Sequence, residues 1–194
     1  MSNSHRLPHL SLLCAAIVSI SACANTPTPS QPPDSLAPLI QTVSERLSIA
    51  DQVALTKWDS GKPIQDSLRE QQVIANAAKL APAYKLNPEE VSQFLAAQIE
   101  ANKLVQYTLL ANWHAAGKAP NTARPDLVNQ VRPQLDRLQI RLLQNFAAFT
   151  PYRHDPQCPT WLNQQRQLQA NDAIHDIALG RAVGELCIIT QQPR

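Results

Sequence analysis

The sequence predicts an all-α fold, a single-domain helical bundle. Apolar residues recur at intervals of three and four over long segments, which is the spacing that places them on one face of a helix. Leu, Ala and Gln are abundant and there are only 4 glycines, a composition that favours helix over turn-rich β structure. Prolines cluster at the ends of these segments, where they delimit helices. A chain of 194 residues is long enough for one domain with its own core.

The first two helices are predicted from an apolar stripe along the first of them and from turn or proline signals at their ends. Helix 1 begins near residues 35–38 and runs to about Trp58, and its apolar face ends before the Ser-Gly-Lys-Pro turn at residues 60–63. Asp66 is a plausible N-cap for helix 2, which continues to about Leu80 with Pro82 near its end.

Helix 3 is predicted to be long, from Pro88 to about Ala116, with Asn87 as its N-cap and proline at its first position. Its core-facing stripe has apolar ends and an amide-rich middle, in the order Val91, Leu95, Gln98, Asn102, Gln106, Leu109, Trp113. Buried amides need partners. The stripe therefore indicates an amide network between helices, a polar site inside the bundle, or a true stripe one residue away, since Leu104 and Val105 flank Gln106.

The second half of the chain is predicted to hold helix 4, from about Asp126 to Phe149, and a last helical region over 160–189. Pro133 should kink helix 4 or mark its true start. Cys158 and Cys187 are expected to form a disulfide, because exported proteins usually join two mature cysteines; two buried free thiols are the alternative.

Residues 1–24 are typical of an export signal: Arg6 precedes an apolar run, residues 10–20, that is too short to span a bilayer. Ala22-Cys23-Ala24 fits a small-residue cleavage site, whereas residues 20–23 resemble a lipobox that would leave Cys23 lipidated. Residues 25–35 form a linker rich in Pro, Ser and Thr, and residues 36–194 form the domain. We therefore expect an exported protein, periplasmic or secreted, that touches a membrane only through an anchor at Cys23.

Charge excludes one class of partner and suggests another. The formal charge of +2 is too small to argue for nucleic acid. Arg46 and Lys57 are eleven residues apart on helix 1, so they leave one face, beside the apolar stripe. A cation there needs an anionic partner. Each could also have an ordinary structural role, in a surface ion pair or with its stem along the surface.

Further polar residues would complete a site if the helices bring them together. Asp66, Arg69 and Glu70 open helix 2, Asn102 and Gln106 lie one turn apart on helix 3, and Arg132 stands before Pro133. Four cations, two acids and two amides suit a small dianion, because arginine binds carboxylates with two parallel hydrogen bonds. No nucleophile and base stand together in the sequence, so catalysis would act by electrostatics and orientation.

The spacing Arg46, ten residues, Lys57, eight residues, Asp66, two residues, Arg69-Glu70 resembles the all-helical, AroQ-type chorismate mutases. Asn102 and Gln106 extend the match. The export leader, Arg132 and the cysteine pair resemble the exported subclass of that family, in which the whole active site lies within one chain.

That resemblance implies a cofactor-free and metal-free isomerase that converts chorismate to prephenate, a reaction of aromatic amino acid biosynthesis. Arg46 and Arg132 would hold the two substrate carboxylates, with help from Arg69. Lys57 and Gln106 would donate to the ether oxygen. Asp66 and Glu70 would take the ring hydroxyl or orient the cations, and Asn102 would contact a carboxylate. Val73 is a departure from relatives that have an amide there.

Two other functions fit parts of the sequence. An isochorismate pyruvate-lyase would have the same fold and a similarly cationic site. A helical lipoprotein that binds a partner without catalysis would explain the lipobox and linker, but not the spacing from Arg46 to Glu70. A homodimer is compatible with a domain of this size.

Overall fold

The computed structural model describes residues 31–169 and 171–189, and these form six α-helices with no strand among them. The helices are α1 (Leu36–Ser60), α2 (Ser67–Leu80), α3 (Pro88–Ala116), α4 (Arg132–Phe149), α5 (Cys158–Gln169) and α6 (Ala173–Val183). The predicted all-α class is confirmed. The leader, Cys23 and most of the linker lie outside the described residues. None of the described helices is long and apolar enough to cross a membrane.

Helices α1 and α2 end and begin where turn chemistry requires. Gly61 adopts a left-handed conformation with φ of 62° and its N–H bonds to the Lys57 carbonyl, which closes α1. The carboxylate of Asp66 accepts a hydrogen bond from the Arg69 N–H at 3.1 Å, so the predicted N-cap of α2 is confirmed. A short 3₁₀ turn, Ala81–Tyr84, follows α2.

Helix α3 lies at the centre of the bundle and packs against α1, α2 and α6. Its bounds, Pro88–Ala116, are as predicted. Asn87 is its N-cap, also as predicted, and its side chain accepts a hydrogen bond from the Glu89 N–H at 2.8 Å. Gln98 is buried and donates to the Ala182 carbonyl of α6 at 2.8 Å. Asn102, a second stripe amide, donates to the Arg46 carbonyl of α1 at 3.0 Å, so two of the three predicted stripe amides join helices, as the network interpretation expected.

The start of helix 4 differs from the prediction. The α-helix begins at Arg132, and residues Leu127–Val131 form a π-helical turn instead. Asp126 caps this wider turn by accepting from the N–H groups of Val128 and Asn129. Pro133 marks the true start of α4, since a ring without an N–H fits the first turn of a helix.

The last helical region is two helices, so the prediction of one region over 160–189 is wrong. Asp172 interrupts it, because its carboxylate accepts from the N–H groups of Ile174 and His175 and starts α6 anew. The predicted disulfide is present, with an S–S distance of 2.01 Å between Cys158 and Cys187. It joins the first residue of α5 to the segment after α6.

The main core gathers residues from all six helices, with Cys158 and Trp161 as the buried members from α5. Phe94 of α3 stacks on Phe146 of α4, with ring centroids 4.5 Å apart. A smaller cluster, Ile49, Val131 and Leu138, packs the start of α4 against α1. This second cluster fixes the π-helical turn, and with it the position of Arg132.

Candidate active site

Helices α1 to α4 enclose a cavity of about 210 Å³. It is lined by all eight residues that the sequence singled out, which come from four different helices and the turns before them: Arg46, Lys57, Asp66, Arg69, Glu70, Asn102, Gln106 and Arg132. The apolar part of the wall includes Val53, Val73, Leu127 and Val131. The separate sequence signals therefore converge on one concave site within a single chain.

Arg46 is the most deeply placed cation of this cavity. Only 8% of the residue is exposed, although its guanidinium is charged. Burial lowers the pKa of Arg46 to about 10, and the charge of Asp136 partly offsets this. Its Nε atom is buried with no hydrogen-bond partner among the described residues. The neighbouring acids Glu45 and Asp51 could have paired with Arg46 at the surface. Instead, Glu45 contacts Arg141 and Asp51 contacts His175.

The two amides of α3 are connected to each other and to α1. The Asn102 side chain donates to the Arg46 carbonyl at 3.0 Å, which fixes which way this amide faces. The Gln106 Nε2 atom donates to Asn102 Oδ1 at 2.7 Å and lies 3.4 Å from the Asn102 carbonyl. The second contact is long, so one N–H of Gln106 is available to a ligand. Gln106 Oε1 is buried without a partner in the described part of the chain.

Lys57 and the first turn of α2 form the opposite wall. The Lys57 ammonium donates to the Pro63 carbonyl at 2.6 Å, which uses one of its three hydrogens. Glu70 Oε1 accepts from the Asp66 N–H at 3.0 Å, and Asp66 in turn caps the helix. These local bonds hold the two acids at the N-terminus of α2, and the other two hydrogens of the Lys57 ammonium have no partner in the described part of the chain.

Arg132 reaches the cavity from the other side of the bundle. It is the first residue of α4, directly after the π-helical turn, and its side chain is exposed. Wide helical turns of this kind occur frequently at functional sites. The loop before the turn is held to α1, since Arg124 donates to Asp59 at 2.7 Å and to the carbonyls of Pro120 and Thr122.

Three polar residues of the wall were not predicted: Lys103, Asp136 and Gln139. A signal for Asp136 existed, because it lies one helical turn after Arg132 and so shares its face. Lys103 gave no signal of its own: at three residues from Glu100 it reads as an ordinary surface pair, and the two do form an ion pair at 2.7 Å.

The fold and the site together define a class of protein: an all-helical protein whose single chain lines a small cavity mainly with cationic and amide side chains, a composition that suits a small, doubly negative molecule. No lining residue of the described cavity is a histidine, cysteine or serine. The site is equipped to grip carboxylates and to stabilise developing negative charge by donation.

Comparison with known proteins agrees with this class. The family described as chorismate mutase type II matches residues 37–107. A secreted chorismate mutase of Mycolicibacterium smegmatis is 32% identical over 179 residues, covering 89% of this chain and 98% of the relative. A secreted chorismate mutase of Yersinia pestis is 30% identical over 147 residues, 76% of each chain. The crystal structure of a chorismate mutase from Burkholderia phymatum has a TM-score of 0.76 and 43% identity, and the match covers 80% of this chain and 97% of that one.

The chain belongs to the all-helical, AroQ-type chorismate mutase family and is an isomerase of that kind. The predicted family and enzyme class are confirmed. The pyruvate-lyase and the non-catalytic lipoprotein find no support in these similarities.

Proposed function

We propose that this chain rearranges chorismate to prephenate inside the cavity between α1, α2, α3 and α4, without a cofactor. The observation that carries the proposal is the buried guanidinium of Arg46, whose Nε–H has no partner among the described residues and which lines a cation-rich cavity. An unpaired buried donor and charge are unfavourable in the free protein. A carboxylate of the substrate would complete them.

The chemistry needs no nucleophile and no net proton transfer. In the [3,3] Claisen rearrangement a C–O bond of the ether breaks while a C–C bond forms, so negative charge grows on the ether oxygen in the transition state. The protein has to hold a compact, chair-like conformer and to donate hydrogen bonds to that oxygen. Preorganised donors and restraint of the substrate are the two effects that a site of this composition supplies.

The two substrate carboxylates would be held by Arg46 from α1 and Arg132 from α4. Arg69, on the first turn of α2, would assist one of them. Arginine is suited to this because its planar fork presents two parallel N–H groups to a carboxylate. Because Arg132 comes from the same chain as Arg46, the proposal requires one chain to bind one substrate.

Lys57 and Gln106 would donate to the ether oxygen. The two free hydrogens of the Lys57 ammonium and the second N–H of Gln106 support this role. Lys57 Nζ and Gln106 Nε2 are each held in place by a hydrogen bond to the protein, so their positions would change little when the transition state forms. A donor that is already in position contributes more than one that must first reorganise.

Of the eight residues that the sequence singled out, the last three, Asp66, Glu70 and Asn102, would orient the hydrogen-bond donors. Asn102 bonds to the Arg46 carbonyl and to the Gln106 amide, so we propose that it aligns these two groups, in addition to any contact with a carboxylate. Glu70 and Asp66 are held at the N-terminus of α2. This favours a role in orienting cations over a role in accepting the ring hydroxyl.

We further propose that the enzyme acts outside the cytoplasm, with residues 1–24 as its export signal and residues 25–35 as a linker before the domain at 36–194. Two relatives named above are secreted enzymes, which supports export. Lipidation at Cys23 would give a periplasmic, anchored form, whereas cleavage after residue 24 would give a free one. A homodimer is part of this proposal only as an assembly that leaves the single-chain site complete.

The test is the loss of chorismate absorbance with the purified mature chain, beside Lys57→Ala and the control Lys62→Ala. Lys62 is exposed and does not line the cavity. We expect turnover by the wild type and by Lys62→Ala, and a loss of at least about 100-fold in Lys57→Ala. Turnover of isochorismate but not chorismate would overturn the proposal, and equal activity of both lysine variants would remove Lys57 from the mechanism.

A further inference from the structure

The cavity has a cation beyond the four that the sequence suggested, and this cation is tied to two acids. The Lys103 ammonium lies 3.2 Å from Glu70 Oε2 and 2.7 Å from Glu100 Oε1, and its side chain is only 13% exposed. The other oxygen of Glu70 accepts from the Asp66 N–H at 3.0 Å. The Glu70 carboxylate is therefore held on both sides, by α2 and by Lys103 of α3.

The ion pair between Lys103 and Glu70 affects the net charge of the cavity wall that a ligand would meet. Five cations line the cavity (Arg46, Lys57, Arg69, Lys103 and Arg132) against three carboxylates (Asp66, Glu70 and Asp136). The surplus is two positive charges, which matches a dianion. Without Lys103 the surplus would be one, and the Glu70 carboxylate would face the ligand uncompensated. Like charges inside a partly dehydrated cavity interact strongly.

Lys103 remains charged in this position. Hydrogen bonds to Glu100 and then to Glu70 raise the pKa of Lys103, although burial works in the opposite direction. Two of its three hydrogens point at these acids, so the ammonium is committed to the protein more than to a ligand. The bond to Glu70 also links the first turn of α2, which carries Arg69, to α3, which carries Gln106.

We propose that Lys103 is a positioning residue of the mutase site, which neutralises Glu70 and fixes its carboxylate so that the dianionic substrate meets a surplus of positive charge. The inference rests on the proposed function, since it concerns substrate binding at the same cavity. It assigns to Lys103 an effect on substrate affinity through Glu70, not a direct contact with the reacting atoms.

The experiment compares the kinetics of Lys103→Gln, Lys103→Arg and the control Glu100→Gln with those of the wild type. Glu100 is the other partner of Lys103, but its side chain is 50% exposed and it does not line the cavity. We expect Lys103→Gln to raise KM for chorismate about tenfold with kcat within about threefold, because it removes ground-state binding. Lys103→Arg and Glu100→Gln should stay within about threefold of the wild-type KM.

A rescue separates this role from general loss of structure. Glu70→Gln in the Lys103→Gln background removes the uncompensated charge and keeps an oxygen for the Asp66 N–H, so KM should fall at least about threefold below that of the Lys103→Gln single variant. If Lys103→Gln is too unstable to assay, Lys103→Met replaces it. An unchanged KM in the lysine variant, or a double variant no better than the single one, would overturn the inference.

These outcomes are distinct from failure of the proposed function. A wild type that does not turn over chorismate would sink the proposed function itself. A wild type that is active, beside a Lys103→Gln variant of normal KM, would sink the role of Lys103 alone.

Discussion

Two arginines of this protein are equally buried but differ in what surrounds them. Arg46 is 8% exposed and Arg153 is 7% exposed. Arg153, in the turn after α4, donates to Glu90 at 2.8 Å and to the Leu186 carbonyl at 2.8 Å, and its guanidinium lies 4.9 Å over the ring of Phe146. Arg46 instead lines a cavity, and its Nε has no partner among the described residues.

The difference separates a cation with a structural role, Arg153, from one that we propose to bind substrate, Arg46. Arg153 joins α3 to the segment after α6, which the disulfide also holds at Cys187. Its burial is compensated by the protein. The burial of Arg46 is not fully compensated, since its pKa is lowered to about 10 with Asp136 as the opposing charge. On the proposed function, a ligand would complete the region around α1, α2 and α3, whereas Arg153 already has its partners within the described part of the protein.

The largest effect on activity is expected from Arg46→Met. It removes a carboxylate-binding guanidinium, so kcat/KM for chorismate should fall at least about 100-fold, about 3 kcal/mol. The thermal midpoint should stay the same or rise, because an incompletely paired buried charge is removed without emptying the site of bulk. Activity and melting temperature, measured on the same preparation, check both parts. An Arg46→Met variant with a lower melting temperature and wild-type activity would mean that Arg46 has the structural role and does not bind substrate.

Arg153→Met should show the opposite pattern. It leaves Glu90 and two backbone carbonyls without their donor, so the free energy of unfolding should fall by about 3 kcal/mol. The kcat/KM of the folded fraction should stay within about twofold, since Arg153 does not line the cavity. Urea unfolding and kinetics at low temperature measure the two quantities. Arg153→Lys, which keeps a charge for Glu90, is the matched control and should lose less stability.

Removing the disulfide should, like Arg153→Met, lower the stability of the protein without lowering its activity. Cys158 and Cys187 are 29 residues apart, and a closed loop of that length contributes about 3.6 kcal/mol in the chain-entropy account. The double variant Cys158→Ser/Cys187→Ser should therefore unfold at lower urea concentration while kcat/KM changes by less than about twofold. A large loss of activity before unfolding would mean that this region supports the site directly.

The smallest effect concerns pH and is expected from Gln106→Glu. An amide donates at any pH, so the wild type should remain active at neutral pH. A glutamate must be protonated to donate, and its protonated fraction rises as pH falls, so the variant should gain activity towards acid pH and lose about tenfold or more at pH 7. A profile of kcat/KM from about pH 4 to 8 measures this. An unchanged profile would remove Gln106 as a donor to the ether oxygen.

Much of the first half of the fold was predictable because its signals are local. Asp66, Asn87 and Pro88 mark helix starts by their own chemistry, and the cations of α1 stand out beside an apolar stripe. Convergence of the eight residues was predicted only through the family resemblance, since spacing along one helix says nothing about how α1 and α4 face each other.

The features that were missed depend on tertiary contacts. Arg153 lies in a proline-rich turn, and its burial is produced by Glu90 and by backbone carbonyls after α6, which are far away in sequence. Lys103 looks like half of a surface pair until α2 brings Glu70 beside it. The break before α6 has no glycine or proline to mark it in the sequence, and the Asp172 carboxylate alone starts that helix by accepting from Ile174 and His175.

The central claim is that Arg46 is held ready for a carboxylate of the ligand, and calorimetric titration with prephenate, the product dianion, tests it most directly. The wild type and Arg153→Met, below its unfolding temperature, should each bind one prephenate per chain, whereas Arg46→Met should give no measurable binding heat at the same concentrations. Binding to Arg46→Met with wild-type affinity would contradict the account.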